Sequence, residues 1–97
     1  MIRREGDRML IAGPVTLKNV TGMLEEGLAQ VRAGVRVVDL GEVTELDSSL
    51  LAATLAWLRE AQGQNCSLEL ANVPPGMQTL ADLYGVAQLL PVASPKH

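Results

Sequence analysis

The segment from Val35 to Leu58 constrains the fold more than any other part of the chain. Val35-Arg36-Val37-Val38-Asp39-Leu40 is short, rich in β-branched residues and closed by Gly41, the pattern of a buried strand. An acidic connection from Glu42 to Leu46 leads to Asp47-Ser48-Ser49. An Ala/Leu-rich run then continues to Arg59-Glu60-Ala61, and its spacing predicts a helix from Ser48 to about Gln62. Small polar residues before such a run are candidate caps, because a side-chain oxygen can accept a hydrogen bond from a first-turn N–H that lacks an intrahelical partner. Asp47 and Ser48 are the capping candidates. The segment therefore sets a hydroxyl at the positive end of a helix, directly after a core strand.

The flanking sequence supplies the other elements. Ile2–Glu5 and Arg8–Ala12 flank Gly6-Asp7, an acceptable two-residue hairpin turn, and Gly13-Pro14 is expected to break the second strand. Val20, Leu24, Leu28 and Val31 follow helical spacing, with Asn19 or Thr21 as cap and Gly34 as the stop. Gly22 and Gly27 weaken that helix unless they let it pack closely on the sheet. Cys66–Ala71 alternates as a strand does. Pro75 suits the first turn of a helix carrying Met77, Leu80, Ala81 and Tyr84, with Gly85 past its end. Val86–Leu90 reads as an edge strand or a final turn, and residues 93–97 as a loose tail. Strands alternating with helices imply right-handed crossovers. The expected fold is α/β: a small mixed, largely parallel sheet with helices packed on one face, in a single domain over residues 1–92.

Several function classes are disfavoured. Only 2% of the 97 residues are aromatic, so the core must be aliphatic and no platform for base stacking is expected. A net charge of -3 gives no basic footprint for nucleic acid or an anionic membrane. The charged start, Met1–Arg8, has no apolar run behind it and is not expected to be a signal peptide. Leu50–Leu58 is too short to span a bilayer, so a soluble protein without direct membrane insertion is expected. A lone Cys66 fits a reducing compartment. A nucleophilic Ser48 would need a base, and the single His is His97 in the tail. No Gly-rich phosphate loop is present. Asp39, Glu42, Glu45 and Asp47 read as a strand end, two solvated glutamates and a cap. No enzyme activity, cofactor or metal is expected.

The run Asp39-Leu40-Gly41-Glu42-Val43-Thr44-Glu45-Leu46-Asp47-Ser48-Ser49 resembles the STAS family, the domain of anti-sigma-factor antagonists and of sulfate-transporter tails. The family pattern is a strand ending Asp-Leu, a short link, then Asp-Ser-Ser-Gly or Asp-Thr-Gly-Gly opening a helix. Ser67-Leu68-Glu69-Leu70, Val73, Thr79-Leu80-Ala81-Asp82-Leu83-Tyr84-Gly85-Val86 and Leu90-Pro91 look most like the small cytoplasmic STAS subunit of a phospholipid ABC transporter. The resemblance implies that a transporter ATPase is the protein partner and that no small-molecule substrate is bound. It also implies that Ser48 is the residue phosphorylated in the antagonists and set against the ATPase in the transporter subunit. Leu50 stands where the family usually has Gly.

On residue types alone Ser48 is a cap; with the resemblance it is also a contact point. Leu50, Ala53 and Trp57 share one helical row, and Leu51, Leu55 and Leu58 another. A helix apolar on several sides is covered on several sides. The second row is assigned to the core. The expected partner surface is Ser48, Ser49, Leu50, Ala52, Ala53 and Trp57, with Leu50 and Trp57 equally compatible with core packing.

Overall fold

The computed structural model describes residues 1–91. The elements are β1 (Ile2–Glu5), β2 (Arg8–Val15), α1 (Val20–Arg32), β3 (Val37–Leu46), α2 (Ser48–Gly63), β4 (Glu69–Ala71), α3 (Pro75–Leu83) and a 3₁₀ turn (Ala87–Leu89). The sheet order is β1-β2-β3-β4, with β1 antiparallel to β2 and the other two pairings parallel. The expected mixed, largely parallel α/β sheet is present. Residues 93–97, read as a tail, lie outside the described residues.

The hairpin forms where Gly6-Asp7 places it. Ile2 pairs with Ile11 and Glu5 with Arg8, and Gly6 takes φ +64, the sign a two-residue hairpin needs. Gly13-Pro14 does not end β2, which runs on to Val15. Gly13 adopts φ +83 at an irregularity in the β2–β3 register, a backbone state that glycine reaches without steric cost. Pro14 is tolerated because β1 has already ended, so the missing N–H leaves no ladder bond unmade on that side.

β3 departs most from expectation. It begins at Val37 and continues through Gly41 and the acidic stretch to Leu46. Ala12, Gly13, Pro14 and Val15 pair with Glu42, Val43, Glu45 and Leu46, so the partner strand holds this segment extended. β4 is shorter than its alternation implied. Asn65, with φ +57, turns the chain after α2, and the Cys66 N–H donates to the Ala61 carbonyl at 2.9 Å. Val86–Leu90 resolves into the 3₁₀ turn.

All three helices cover one face of the sheet. Met9, Ile11, Val15, Val38, Leu40 and Leu70 point into that layer and are buried with Met23, Val31, Met77 and Ala81. Alternate positions such as Arg8, Val37 and Asp39 are partly exposed on the other face. α2 lies between α1 and α3, so Leu50, Leu51, Ala53, Thr54, Trp57, Leu58 and Ala61 are all buried. Trp57 is fully buried, and its indole N–H donates to the Leu24 carbonyl of α1 at 3.1 Å. Gly27 makes the room: a Cβ there would fall inside the indole. The close packing expected of that glycine is against a helix, not the sheet.

Candidate functional site

The start of α2 is built by Asp47. Its backbone is extended, with φ -137 and ψ -167, and its Oδ1 accepts a hydrogen bond from the Ser49 N–H at 2.8 Å. Its other oxygen accepts from the Leu17 N–H at 3.1 Å, tying the β2–α1 loop to the helix end. These two backbone N–H groups, Ser49 first, hold the Asp47 carboxyl below the usual carboxylate range. Asn19 fixes the same loop from the other side: its Oδ1 accepts from the Thr16 N–H at 2.9 Å and its Nδ2 donates to the Pro14 carbonyl at 2.8 Å. Asn19 is the N-cap residue of α1 by position but makes no side-chain bond to that helix.

Asp47 alone is therefore the cap of α2, which corrects the capping role expected of Ser48. Ser48 is the first helical residue and is exposed, with its hydroxyl left out of the cap. Ser49 is half-buried and Ala52 exposed. Leu50, Ala53 and Trp57 are in the core, at 0%, 3% and 0% exposure, so they form no surface patch beside Ser48. The physical reason is that α1 covers this row of α2, with Gly27 admitting the indole. Leu50, in place of the family glycine, points inward and leaves the helix end unobstructed.

A different apolar surface adjoins Ser48. Ser48, Ala52 and Leu55 form one wall of an open groove of about 300 Å³, Leu51 also lines it, and Tyr84 and Val86 form the other wall. Leu55, assigned from its row to the core, packs against it but is only partly buried, and its remaining surface lines this groove. Tyr84 is 56% and Leu83 74% exposed. On the far side of Asp47, Leu17 stands 78% exposed beside a second groove lined by Lys18, Asn19 and Glu45. Sequence reasoning missed Leu17, Leu55 and Tyr84. Only Tyr84 carried a signal, as an amphipathic residue at the end of a predicted helix.

The carboxylates form no acid–base pair. Asp39 Oδ2 accepts from Arg8 at 2.8 Å, while Oδ1 accepts from the Gly41 N–H at 2.9 Å and Asn72 at 3.0 Å. Burial alone would raise its pKa, but the bonds from Asn72, Gly41 and Arg8 outweigh burial and lower it. Asp39 does not close β3, as expected from sequence, but sits mid-strand. Glu42 and Glu45 are exposed, and Glu42 meets Arg3 at 3.4 Å. Among the described residues no cluster of His, Cys, Asp and Glu is arranged for a metal, and no helix is long and apolar enough to cross a membrane.

No curated protein matches the chain in a sequence comparison. Solved structures share its fold. A chain of the Acinetobacter MlaFEDB complex in an ATP-bound conformation superposes with a TM-score of 0.81 at 21% identity, covering 96% of this chain and 100% of that one. The unphosphorylated anti-sigma factor antagonist SpoIIAA gives 0.71 at 14% identity, covering 97% and 87%. The phosphorylated Bacillus SpoIIAA gives 0.67 at 15%, covering 97% and 90%. The family model described as "Mlab, STAS domain" matches residues 2–91, and the chain belongs to that family.

Proposed function

We propose that this domain is a non-catalytic accessory subunit that docks on the ATPase of a phospholipid ABC transporter, at the cytoplasmic side of the inner membrane, and supports its assembly or activity. The observation that carries this reading is the exposed start of α2. Its cap is completed by Asp47, its Ser48 hydroxyl is left over, and the apolar groove of Ala52, Leu55 and Tyr84 runs directly from it. A small residue flanked by an aromatic ring and a leucine lets a partner helix approach closely. Family membership and the fold shared with a chain of the Acinetobacter MlaFEDB complex support the choice of partner. Ser48, Ser49 and Ala52 remain the contact residues from the expected set, and Leu55 and Tyr84 join them. Leu50, Ala53 and Trp57 act from beneath, by fixing the helix.

The test is co-purification with a candidate ABC ATPase. Ser48→Arg and Ala52→Glu are both at exposed positions, and each should abolish co-purification while leaving the thermal midpoint within a few degrees. Retention of the ATPase by both folded variants would remove the helix end from the interface. A second reading is an anti-sigma-factor antagonist switched by phosphorylation at Ser48. It is favoured by one feature, an exposed hydroxyl at a helix N-terminus, where the dipole stabilises a phosphate. Capture of a serine kinase and a phosphate on Ser48 in the protein purified from its native cells would select it.

A further inference from the structure

β3 is paired on both sides only at its beginning. β4 meets it at Val37, Val38 and Asp39 and stops at Ala71, while β3 runs on to Leu46 against β2 alone. Among the described residues, no strand pairs with residues 40–46 on the side of β3 that faced β4. The chain leaves β4 through Asn72 in a left-handed conformation, φ +55, and then Pro74 and Pro75, which have no N–H to offer. Among the described residues no backbone bond from the loop to residues 40–46 takes the place of the missing ladder. Between the strand edge and this loop lies an open trough of about 590 Å³, lined by Asp39, Glu42, Val43, Asn72, Pro74 and Pro75 among others. Among the described residues no lysine or arginine lines it, although Arg8 and Arg3 reach its carboxylates Asp39 and Glu42 from outside.

We propose that this half-paired edge of β3 is a second docking site, which takes an extended, basic segment of a partner protein by strand addition. An extended peptide would bond the outward N–H and C=O groups of this stretch, whose alternation is broken by the two register shifts against β2 and by Gly41, whose N–H is already held by Asp39 Oδ1. Side chains of that segment would reach into the trough, and a Lys or Arg there would meet Glu42, an exposed carboxylate whose one ion pair, with Arg3 at 3.4 Å, is a loose surface contact. Glu42 repels acidic strands, so the edge discriminates by charge while avoiding indiscriminate pairing. The trough is separate from the groove of Ala52, Leu55 and Tyr84 and shares no lining residue with it, so this proposal and the helix-end proposal fail independently.

The experiment uses the full chain, labelled with ¹⁵N, and a synthetic peptide of alternating Lys and Val. Two controls are its Glu/Val counterpart and the Lys/Val peptide with every second amide N-methylated. At saturation, amides on the open side of residues 42–46 should slow their hydrogen exchange about tenfold or more. Both controls should fail to do this. Glu42→Lys should weaken the basic peptide about tenfold; the peptide controls need no variant and hold if that one misfolds. Unchanged exchange throughout residues 42–46 would overturn the proposal. So would equal binding of the N-methylated peptide, or shift changes confined to the Ser48 groove.

Discussion

At Asp47 one carboxylate organises two pieces of backbone, and the residue beside it is left free for contact. The carboxyl is held in its charged form by the N–H groups of Ser49 and Leu17, so its contribution has a defined pH sign. A depressed folded-state pKa stabilises the native state above the unfolded value, and that gain disappears as the pH falls through the acid range below about 4. Urea melts of the parent protein and Asp47→Asn should therefore differ at neutral pH, with the variant less stable, and converge as the pH is lowered. Ser48→Ala should lie within about 0.5 kcal/mol of the parent across that range, because an exposed hydroxyl outside the cap supports no buried bond. A Ser48→Ala loss as large as that of Asp47→Asn would show that Ser48 shares the cap. The sequence could not separate the two residues. Both are good caps, and the choice depends on which one the end of β3 leaves in extended backbone.

Between elements, the closest fit is α1 against α2 at Gly27 and Trp57. The indole fills the space a Cβ would take and bonds the Leu24 carbonyl. Gly27→Ala should thus destabilise the domain by about 1–3 kcal/mol through overpacking, despite alanine's better helix propensity. In the Gly27→Ala background, Trp57→Phe should recover part of that loss, measured as a rise in denaturation midpoint. Trp57→Ala should cost about 3–5 kcal/mol while leaving partner binding intact among the molecules still folded. As the single Trp, Trp57 should emit as a buried indole and shift little when a partner is added. The helices, their order and the hairpin were legible because apolar period, turn residues and caps are local signals. The burial of Trp57 was not, since it needs a glycine thirty residues earlier (57 − 27 = 30) to come opposite on another helix. The second half of β3 was equally hidden. Gly41-Glu42-Val43-Thr44-Glu45 has one half-buried apolar residue among exposed neighbours, and only pairing with β2 makes it a strand. The groove beside Ser48 was missed for a related reason: Leu55 and Tyr84 belong to different helices and meet only in the folded chain.

Across the whole molecule, the sheet manages its edges unequally. β1 carries Arg3, Arg4 and Glu5 on an exposed edge, and such charges discourage pairing with another chain. The outer edge of β4 is closed by the chain itself: the Leu70 N–H donates to the Pro91 carbonyl at 3.0 Å, and Leu90 is buried beside it at 7% exposure. The stretch after the 3₁₀ turn therefore completes the sheet rather than merely trailing from α3. Two terms hold it, the burial of Leu90 and one backbone bond, and the first is the larger. Leu90→Ala should cost about 2–4 kcal/mol. It should also free the Leu70 amide, so that its hydrogen exchange rises more than that of Val38 on the neighbouring strand. A variant destabilised globally would instead raise both amides together. Native-state exchange followed at the two positions distinguishes these results. Selective opening at Leu70 would establish Leu90–Pro91 as the lock on β4, and equal opening would make Leu90 an ordinary core residue. If the lock is real, the variant should also self-associate at concentrations where the parent stays monomeric, because an uncovered β4 offers a second free edge beside the open part of β3. Sedimentation of the parent and Leu90→Ala side by side reads that outcome directly, and a monomeric variant with a freely exchanging Leu70 amide would show that β4 is too short to recruit another strand.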